Sequence, residues 1–219
     1  LLNKPYGVIC QFSPDGNRPT LRSMVGVEGV YPAGRLDADS EGLVVLTDDG
    51  AVQHAITHPA TKMEKTYLVQ VEGEATDKQL AELAGGITLR DYTTLPCAAQ
   101  HSTPPDWLWP RIPPIRERRS IPVSWIALTL TEGRNRQIRH MTAAVGLPTL
   151  RLIRIKIGPW SVADIPLGTW SEAAEGMPLA GQTQRITRNT GTRGQPSPSR
   201  RVKLVQGKIP SHRSRKERL

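Results

Sequence analysis

Apolar and polar residues alternate along several short stretches of the chain, which is the pattern of half-buried β-strands. Val69 and Val71 alternate with polar neighbours, as Ile126 and Leu128 do with polar or small ones. The apolar run at 43–46 does not alternate, and its shortness and branched side chains favour a buried strand. We therefore predict strands at 7–12, 43–47, 67–72, 95–100, 125–131 and 150–157.

Helical signals are fewer than strand signals. Thr76 and Gln79 are spaced as a capping box, which predicts a helix over 76–84 that ends at two glycines. Further helices are predicted at 20–24, at 50–57 with Asp48 or Asp49 as N-cap, and at 135–145 with Asn135 as N-cap. These elements predict an α+β fold with a mixed, largely antiparallel central sheet flanked by helices.

The basic excess of the chain lies at its C-terminal end. The net charge is +9, and residues 176–219 hold 11 lysines and arginines but a single acidic residue. This segment has no apolar period, so we expect a disordered basic tail at 176–219 after one domain at 1–175, which has room for two subdomains around a cleft. Such a tail attracts phosphate backbones, or it simply keeps the protein soluble.

Apolar runs, the first residues of the chain and the two cysteines bear on its cellular location. No apolar run approaches the ~18 residues that a membrane-spanning helix needs, and the first residues do not resemble a signal peptide. Cys10 and Cys97 lack the spacing of metal ligands and fit a reduced compartment as core residues. We expect a cytoplasmic protein with no membrane contact.

The densest group of reactive side chains lies between Gly34 and Gly42. Asp37, Asp39 and Glu41 follow Arg35 on a loop that leads directly into the buried strand at 43–47. Together with Gly42 and Asp48 these acids match a calcium-loop template, but the flanking helices of that template are missing. A carboxylate pair for glycoside chemistry and a solvated acidic turn are the other interpretations.

A proline-rich stretch at 101–123 carries two tryptophans, Trp107 and Trp109, among several arginines. A loop of this length is usually functional, and indole rings beside guanidinium groups suit stacking on bases and binding of phosphates. The alternative is a structural flap whose tryptophans cover the sheet. The RNA-contacting arginines would be Arg111, Arg116, Arg118 and Arg119.

Four segments in order resemble the motifs of one enzyme family. Residues 34–43 (GRLDADSEGL) resemble the signature of pseudouridine synthases of the RsuA branch. Residues 3–8 (NKPYGV), 65–67 (KTY) and 132–139 (EGRNRQIR) resemble three further motifs, and 150–160 extend the likeness to about residue 172. The detail is similar to branch members that lack an N-terminal S4 domain and modify large-subunit rRNA.

The resemblance implies an isomerase that converts a uridine of large-subunit (23S) rRNA to pseudouridine after base flipping, without cofactor or metal. It implies that Asp37 is the catalytic carboxylate and that Arg139 pairs with it. Tyr67 would stack on the base, Ile138 would line the pocket, and Arg35 would fill the gap that the flipped nucleotide leaves.

Other roles follow from the same motifs. We expect Lys4, Arg134 and Arg136 to contact RNA, Asp39 and Glu41 to hold the loop by hydrogen bonds, and the protein to be a monomer. Arg139 lies in the first turn of its predicted helix, where a cation gains nothing from the macrodipole, so it needs a carboxylate partner. An rRNA-binding module with a vestigial pocket and a glycoside hydrolase are the alternative functions.

Overall fold

The alternating stretches pair into one mixed sheet in the computed structural model, which describes residues 1–115, 118 and 120–173. Its described strands are β1 (Leu2–Lys4), β2 (Tyr31–Pro32), β3 (Glu41–Val44), β4 (Leu46–Thr47), β5 (Lys65–Glu72), β6 (Ala98–Ser102), β7 (Val123–Leu130), β8 (Thr149–Ile157) and β9 (Trp160–Ser161). The described α-helices are α1 (Gly50–Thr57), α2 (Asp77–Gly85) and α3 (Gln137–Ala144), and short 3-10 turns lie at Leu21–Ser23 and Pro59–Thr61.

The sheet order confirms the predicted fold class. The strands run β1-β3-β8-β5-β7-β6, with β9 beside β8, and a separate small sheet pairs β2 with β4. Only the β3–β8 pair is parallel among the strand pairs of the described residues. The sheet is therefore mixed and largely antiparallel, as the pattern of strands and helices predicts.

Both faces of the sheet are buried at β3, which explains why the sequence of this strand does not alternate. Val44 belongs to one apolar cluster, here called the first core. Leu43 and Val45 belong to another, the second core. Successive side chains of a strand point to opposite faces, so β3 supplies both cores at once. Tyr67 and Val69 of β5 point into the first core, in agreement with the predicted alternation.

Two helix starts agree with the predictions and one does not. Asp49 caps α1 by accepting hydrogen bonds from the amides of Ala51 and Val52, and Thr76 caps α2 in a complete capping box. The predicted Asn135 cap of α3 is wrong. Arg136 occupies that position, and Gln137 closes the preceding turn through hydrogen bonds with the Arg134 backbone.

The predicted strand at 7–12 is also wrong. This stretch forms a single bridge between Ile9 and Thr20, and the neighbouring strand of the sheet is β1 instead. The prolines Pro14 and Pro19 flank a tight turn at 15–18, which allows only local pairing. The helix predicted at 20–24 is a single 3-10 turn at Leu21–Ser23.

The described residues lie within one compact unit, Leu1–Thr183. The predicted tail at 176–219 lies outside the described residues. Within the described part of the chain, none of the helices has the length and apolar character needed to cross a bilayer.

A close backbone approach at Gly42 fixes the β3–β8 pairing. Gly42 lies opposite Arg154 in the parallel register and has a φ of 99°. A Cβ atom at this position would lie 2.4 Å from the Arg154 carbonyl oxygen. Because that neighbour is backbone, it cannot move aside without shifting β8.

We predict that Gly42→Ala destabilises the protein strongly. The methyl group adds overpacking of about 1–3 kcal/mol to the cost of the left-handed backbone. Gly29→Ala is the matched control, because Gly29 has a φ of 80° and open space around its Cβ position. Urea unfolding of both variants measures the difference, and equal losses of stability would refute the contact with Arg154.

Candidate active site

The loop between β2 and β3 holds the carboxylates in a tight turn. The Ser40 amide donates to the Asp37 carbonyl at 3.1 Å, and the Gly7 amide donates to the Ala38 carbonyl at 2.7 Å. Leu36 anchors the loop in the first core. The loop is therefore held from both sides, while the Asp37 side chain stays 36% exposed.

The two acids of this loop meet two arginines at the start of α3. Arg136 makes two hydrogen bonds to the Asp39 carboxylate, at 3.1 and 2.9 Å, and its Nη1 lies 3.5 Å from Asp37 Oδ2. Arg139 Nη2 donates to the Asp39 carbonyl at 2.7 Å and lies 3.4 Å from the Asp39 carboxylate. The site thus brings together two carboxylates and two guanidinium groups.

This geometry corrects the predicted pairing of Asp37 with Arg139. The nearest guanidinium to Asp37 belongs to Arg136, and Arg139 pairs with Asp39. Arg136 occupies the N-cap of α3 in a left-handed conformation, with a φ of 50°, and its guanidinium contacts both Asp37 and Asp39. Asp37 still acts on Arg139 through its charge. The expected role of Asp39 in holding the loop agrees with its hydrogen bonds.

Electrostatics keep Asp39 ionised. Burial alone would raise its pKa, but the hydrogen bond from Arg136 and the charges of Arg139 and Arg136 outweigh burial and hold the pKa below its usual value. The same hydrogen bond raises the pKa of Arg136, whereas burial lowers that of Arg139. Asp39 therefore acts as the fixed anion that holds both arginines beside Asp37.

Apolar side chains of the first core lie next in the chain to residues that carry these carboxylates and guanidinium groups. Tyr67 of β5 and Ile138 of α3 are both buried in the first core, together with Leu36 of the loop. Tyr67 stands opposite Arg154 of β8 in the sheet register. Leu36 precedes Asp37 in the chain and Ile138 precedes Arg139, so the residues next to these charged side chains belong to the same core as Tyr67.

Two arginines of β8, for which no role was predicted, form hydrogen bonds with the loop and with the start of β3. Arg154 Nε donates to the Leu43 carbonyl at 2.8 Å, and its Nη1 lies 3.5 Å from the Arg35 carbonyl. Arg151 forms two hydrogen bonds with Glu41, at 2.7 and 2.9 Å. The available signal was two arginines that alternate with apolar residues at 150–155, because a buried charge needs a partner.

Trp109 joins the proline-rich stretch to this support. Its indole Nε1 donates to Glu41 at 2.8 Å, and its carbonyl accepts from Arg151 at 2.9 Å. Trp109 also packs against the second core, so it behaves as the structural flap considered above. Trp107 differs, because 38% of its surface is exposed. The expected role of Glu41 agrees with these contacts.

The residues predicted to contact the substrate or the RNA differ in their surroundings. Lys4 is wrong as a surface contact, because it is fully buried and its ammonium donates to the carbonyls of Pro5 and Val8. Arg35 is exposed. The remaining described arginines lie on aromatic rings or beside acids: Arg111 over Tyr6, Arg134 over Tyr92, Arg118 at Glu72, and Arg136 at Asp39. Arg116 and Arg119 lie outside the described residues.

The calcium-loop alternative does not match these contacts. Asp39 is bound to Arg136, and Glu41 is buried against Arg151, so neither carboxylate is available to a cation. In the part of the chain that the structure describes, no group of three or more His, Cys, Asp or Glu side chains is placed to hold a metal ion.

Comparison with known proteins gives the class. The family model described as RNA pseudouridylate synthase matches residues 1–144. A solved structure described as a pseudouridylate synthase superposes with a TM-score of 0.59 at 34% identity, covering 74% of this chain and 63% of that one. With its mixed sheet and aspartate-bearing loop, this chain belongs to the RNA pseudouridylate synthase family.

The more similar relatives share one name. Ribosomal large subunit pseudouridine synthase E of Xanthomonas campestris is 51% identical over 172 residues, covering 78% of this chain and 92% of the relative. The protein of that name from Vibrio vulnificus is 49% identical, with coverages of 78% and 73%. Ribosomal small subunit pseudouridine synthase A of Salmonella typhimurium is more distant, at 38% identity, with coverages of 72% and 62%.

We predict that breaking the buried Glu41–Arg151 pair costs about 3–5 kcal/mol, because one charge is left buried without its partner. Glu41→Leu and Arg151→Met should each show this loss in urea unfolding, and the double variant with both substitutions should recover most of it. The exposed pair of Arg118 and Glu72 is the control, where Glu72→Gln should cost about 1 kcal/mol or less. Additive losses in the double variant would contradict the coupling.

We predict that Lys4 makes stability depend on pH in the alkaline range. Burial lowers its pKa to about 8, against roughly 10.4 in an unfolded chain. Between these values the unfolded chain holds a proton that the native protein has lost, so native stability rises with pH across this window. Below about pH 8 both states are protonated and the penalty is constant.

The measurement is the difference in unfolding free energy between the wild type and Lys4→Met at either end of the window. The wild type should gain on the order of 2 kcal/mol relative to the variant as the pH rises. Lys78→Met replaces an exposed lysine and serves as the control. A difference that does not change with pH would show that the ammonium of Lys4 is not destabilised by burial.

Proposed function

We propose that this protein isomerises a uridine of large-subunit rRNA to pseudouridine, with Asp37 as the catalytic carboxylate. The observation that carries the proposal is the Asp37 loop, held over a core that contains Tyr67 and Ile138. The printed names of the relatives from Xanthomonas and Vibrio support large-subunit rRNA as the substrate.

The reaction balances without any added atom or electron. The bond from uracil N1 to ribose C1′ breaks, the ring turns, and C5 bonds to C1′. C5 then loses its proton, and N1 gains one. The chain must therefore supply a carboxylate near C1′, a surface that retains the free ring, and a way to move a proton.

The described side chains meet these needs in distinct ways. Asp37 is partly exposed and is therefore accessible to a ribose, and its negative charge stabilises positive charge that develops at C1′. Tyr67 and Ile138 provide an apolar surface against which the detached uracil is held. Arg139 acts on Asp37 through its charge and is fixed by Asp39.

Base flipping gives Arg35 its proposed role. A uridine must leave its stack to reach Asp37, which costs a few kcal/mol. Arg35 is exposed and lies two residues before Asp37, so its side chain is available to occupy the space that the base leaves. This role gives Arg35 more importance on paired than on flexible RNA.

The wider assignments belong to the same proposal. Residues 1–175 would form the catalytic domain, and the basic segment 176–219 would add affinity for rRNA that does not depend on sequence. The exposed arginines Arg118 and Arg134, the half-buried Arg111, and the arginines Arg116 and Arg119 would contact the phosphate backbone. The proposal also includes action as a monomer, with the cytoplasm as its compartment.

The decisive experiment is tritium release from RNA labelled with [5-³H]uridine. Asp37→Asn should lower the rate by at least about a thousandfold, because an amide carries no charge to stabilise C1′. Asp39→Asn should reduce the rate less, since it only loosens the arginines around Asp37. Urea unfolding and RNA binding of both variants confirm that the fold is intact.

The outcomes separate the alternatives. Binding of rRNA without tritium release by the wild type would indicate a binding module, and sugar hydrolysis would indicate a glycoside hydrolase. Tritium release by Asp37→Asn at the wild-type rate would remove Asp37 from the mechanism. Comparing Arg35→Ala on paired and unpaired substrates in the same assay tests the role of Arg35.

A further inference from the structure

A cavity of about 310 Å³ lies on the side of the sheet occupied by the second core, away from Tyr67 and Ile138. Trp107 and Trp109 line one wall, and residues 163–167 line the other. Its volume falls at the lower end of the range for ligand pockets, roughly 300–1,000 Å³. The roles proposed for Asp37, Tyr67, Ile138, Arg139 and Arg35 do not use this cavity.

We propose that the cavity binds an unpaired base of the substrate rRNA, with guanine as the preferred base. The proposal rests on the proposed function and deepens it, because it identifies a second nucleotide that the protein recognises beside the target uridine. Trp107 supplies a stacking surface, and Asp164 supplies the group that reads the edge of the base.

The two tryptophans of the cavity wall differ in how firmly they are held. Trp109 is held by its hydrogen bond to Glu41, whereas Trp107 has more than a third of its surface exposed. The two ring centroids lie 6.1 Å apart with 35° between the planes, so the wall is bent rather than closed into a stack. Exposed indole rings of this kind bind single-stranded bases by stacking.

The polar group in the cavity favours a base over a phosphate. Asp164 is the only charged residue among the lining residues, and within the described residues it takes part in no ion pair. A carboxylate repels phosphate but accepts two N–H groups side by side. Guanine presents two such donors on its Watson–Crick edge, N1–H and the N2 amino group, whereas uracil presents one.

A neutral base also fits better than a cation. The guanidinium of Arg151 already lies 5.9 Å from the Trp109 ring. A second cation stacked on the same tryptophan would be repelled by Arg151, and a base would not. The combination of acid and indole therefore favours a nucleobase over an arginine or lysine of another protein.

The chain connects this cavity with the active site. Arg111 lies four residues after Trp107, a separation of at most about 14 Å. The Arg111 guanidinium lies 3.8 Å from the centre of the Tyr6 ring, and Tyr6 acts electrostatically on Arg139. An RNA strand that places a uridine at Asp37 can therefore pass Arg111 and reach the cavity.

The first test is binding of mononucleotides, followed by NMR through the indole N–H signals. GMP should shift the Trp107 and Trp109 signals at lower concentration than AMP, CMP, UMP or inosine monophosphate, which lacks the N2 amino group. Asp164→Asn should abolish the preference for GMP, and Asp106→Asn, a nearby acid outside the cavity lining, should retain it. Signals that respond to arginine amide and not to nucleotides would overturn the proposal, as would signals that respond to neither.

The second test uses turnover of an rRNA fragment. Trp107→Ala should raise KM about tenfold with kcat unchanged, because stacking is lost while Asp37 is untouched. Trp107→Phe should restore most of the affinity, and Trp170→Ala, which removes a tryptophan of similar exposure elsewhere, should have no effect. An unchanged KM for Trp107→Ala would refute the proposal. Absence of turnover by the wild type would refute the proposed function, and the NMR titration would still decide this inference.

Discussion

Where β3 runs parallel to β8, the two backbones come so close that only glycine fits at position 42. The charged contacts that hold the aspartate-bearing loop depend on this close approach. On one face, Glu41 meets Arg151, and on the other, Arg154 reaches the carbonyls of Leu43 and Arg35. The aspartate-bearing loop leaves the sheet at this point, so its position is set by two strands and two buried arginines.

Charge at the site is divided between two acids with different surroundings. Asp39 is bound to both arginines of α3 and has a lowered pKa, and Asp37 makes a single long contact with Arg136. An acid with several hydrogen bonds is poorly suited to approach a ribose, because those bonds must first be broken. The arrangement leaves Asp37 accessible while Asp39 holds the positive charges in place.

Local patterns were sufficient for much of the fold, whereas the candidate site residues were assigned from the family resemblance of four motifs. Alternation located β5 and β7, and the capping box located α2, because both signals arise from neighbouring residues. β1 gave no such signal, because Asn3 and Lys4 are buried and bind backbone carbonyls. The partner of Arg139 was also not predictable from local patterns, because Asp39 lies 100 residues away in the sequence. The role of Trp109 depends on a contact between positions 68 residues apart.

Arg136 has a conformation that glycine adopts more easily than arginine, since its backbone is left-handed at the start of α3. A glycine there would relax the backbone but would remove the side chain that bridges Asp37 and Asp39. At this position an unfavourable backbone conformation is tolerated because the arginine side chain neutralises the carboxylates of the loop. In protein engineering, a substitution chosen at this residue for helix stability alone would remove the contacts of Arg136 with the two carboxylates of the candidate active site.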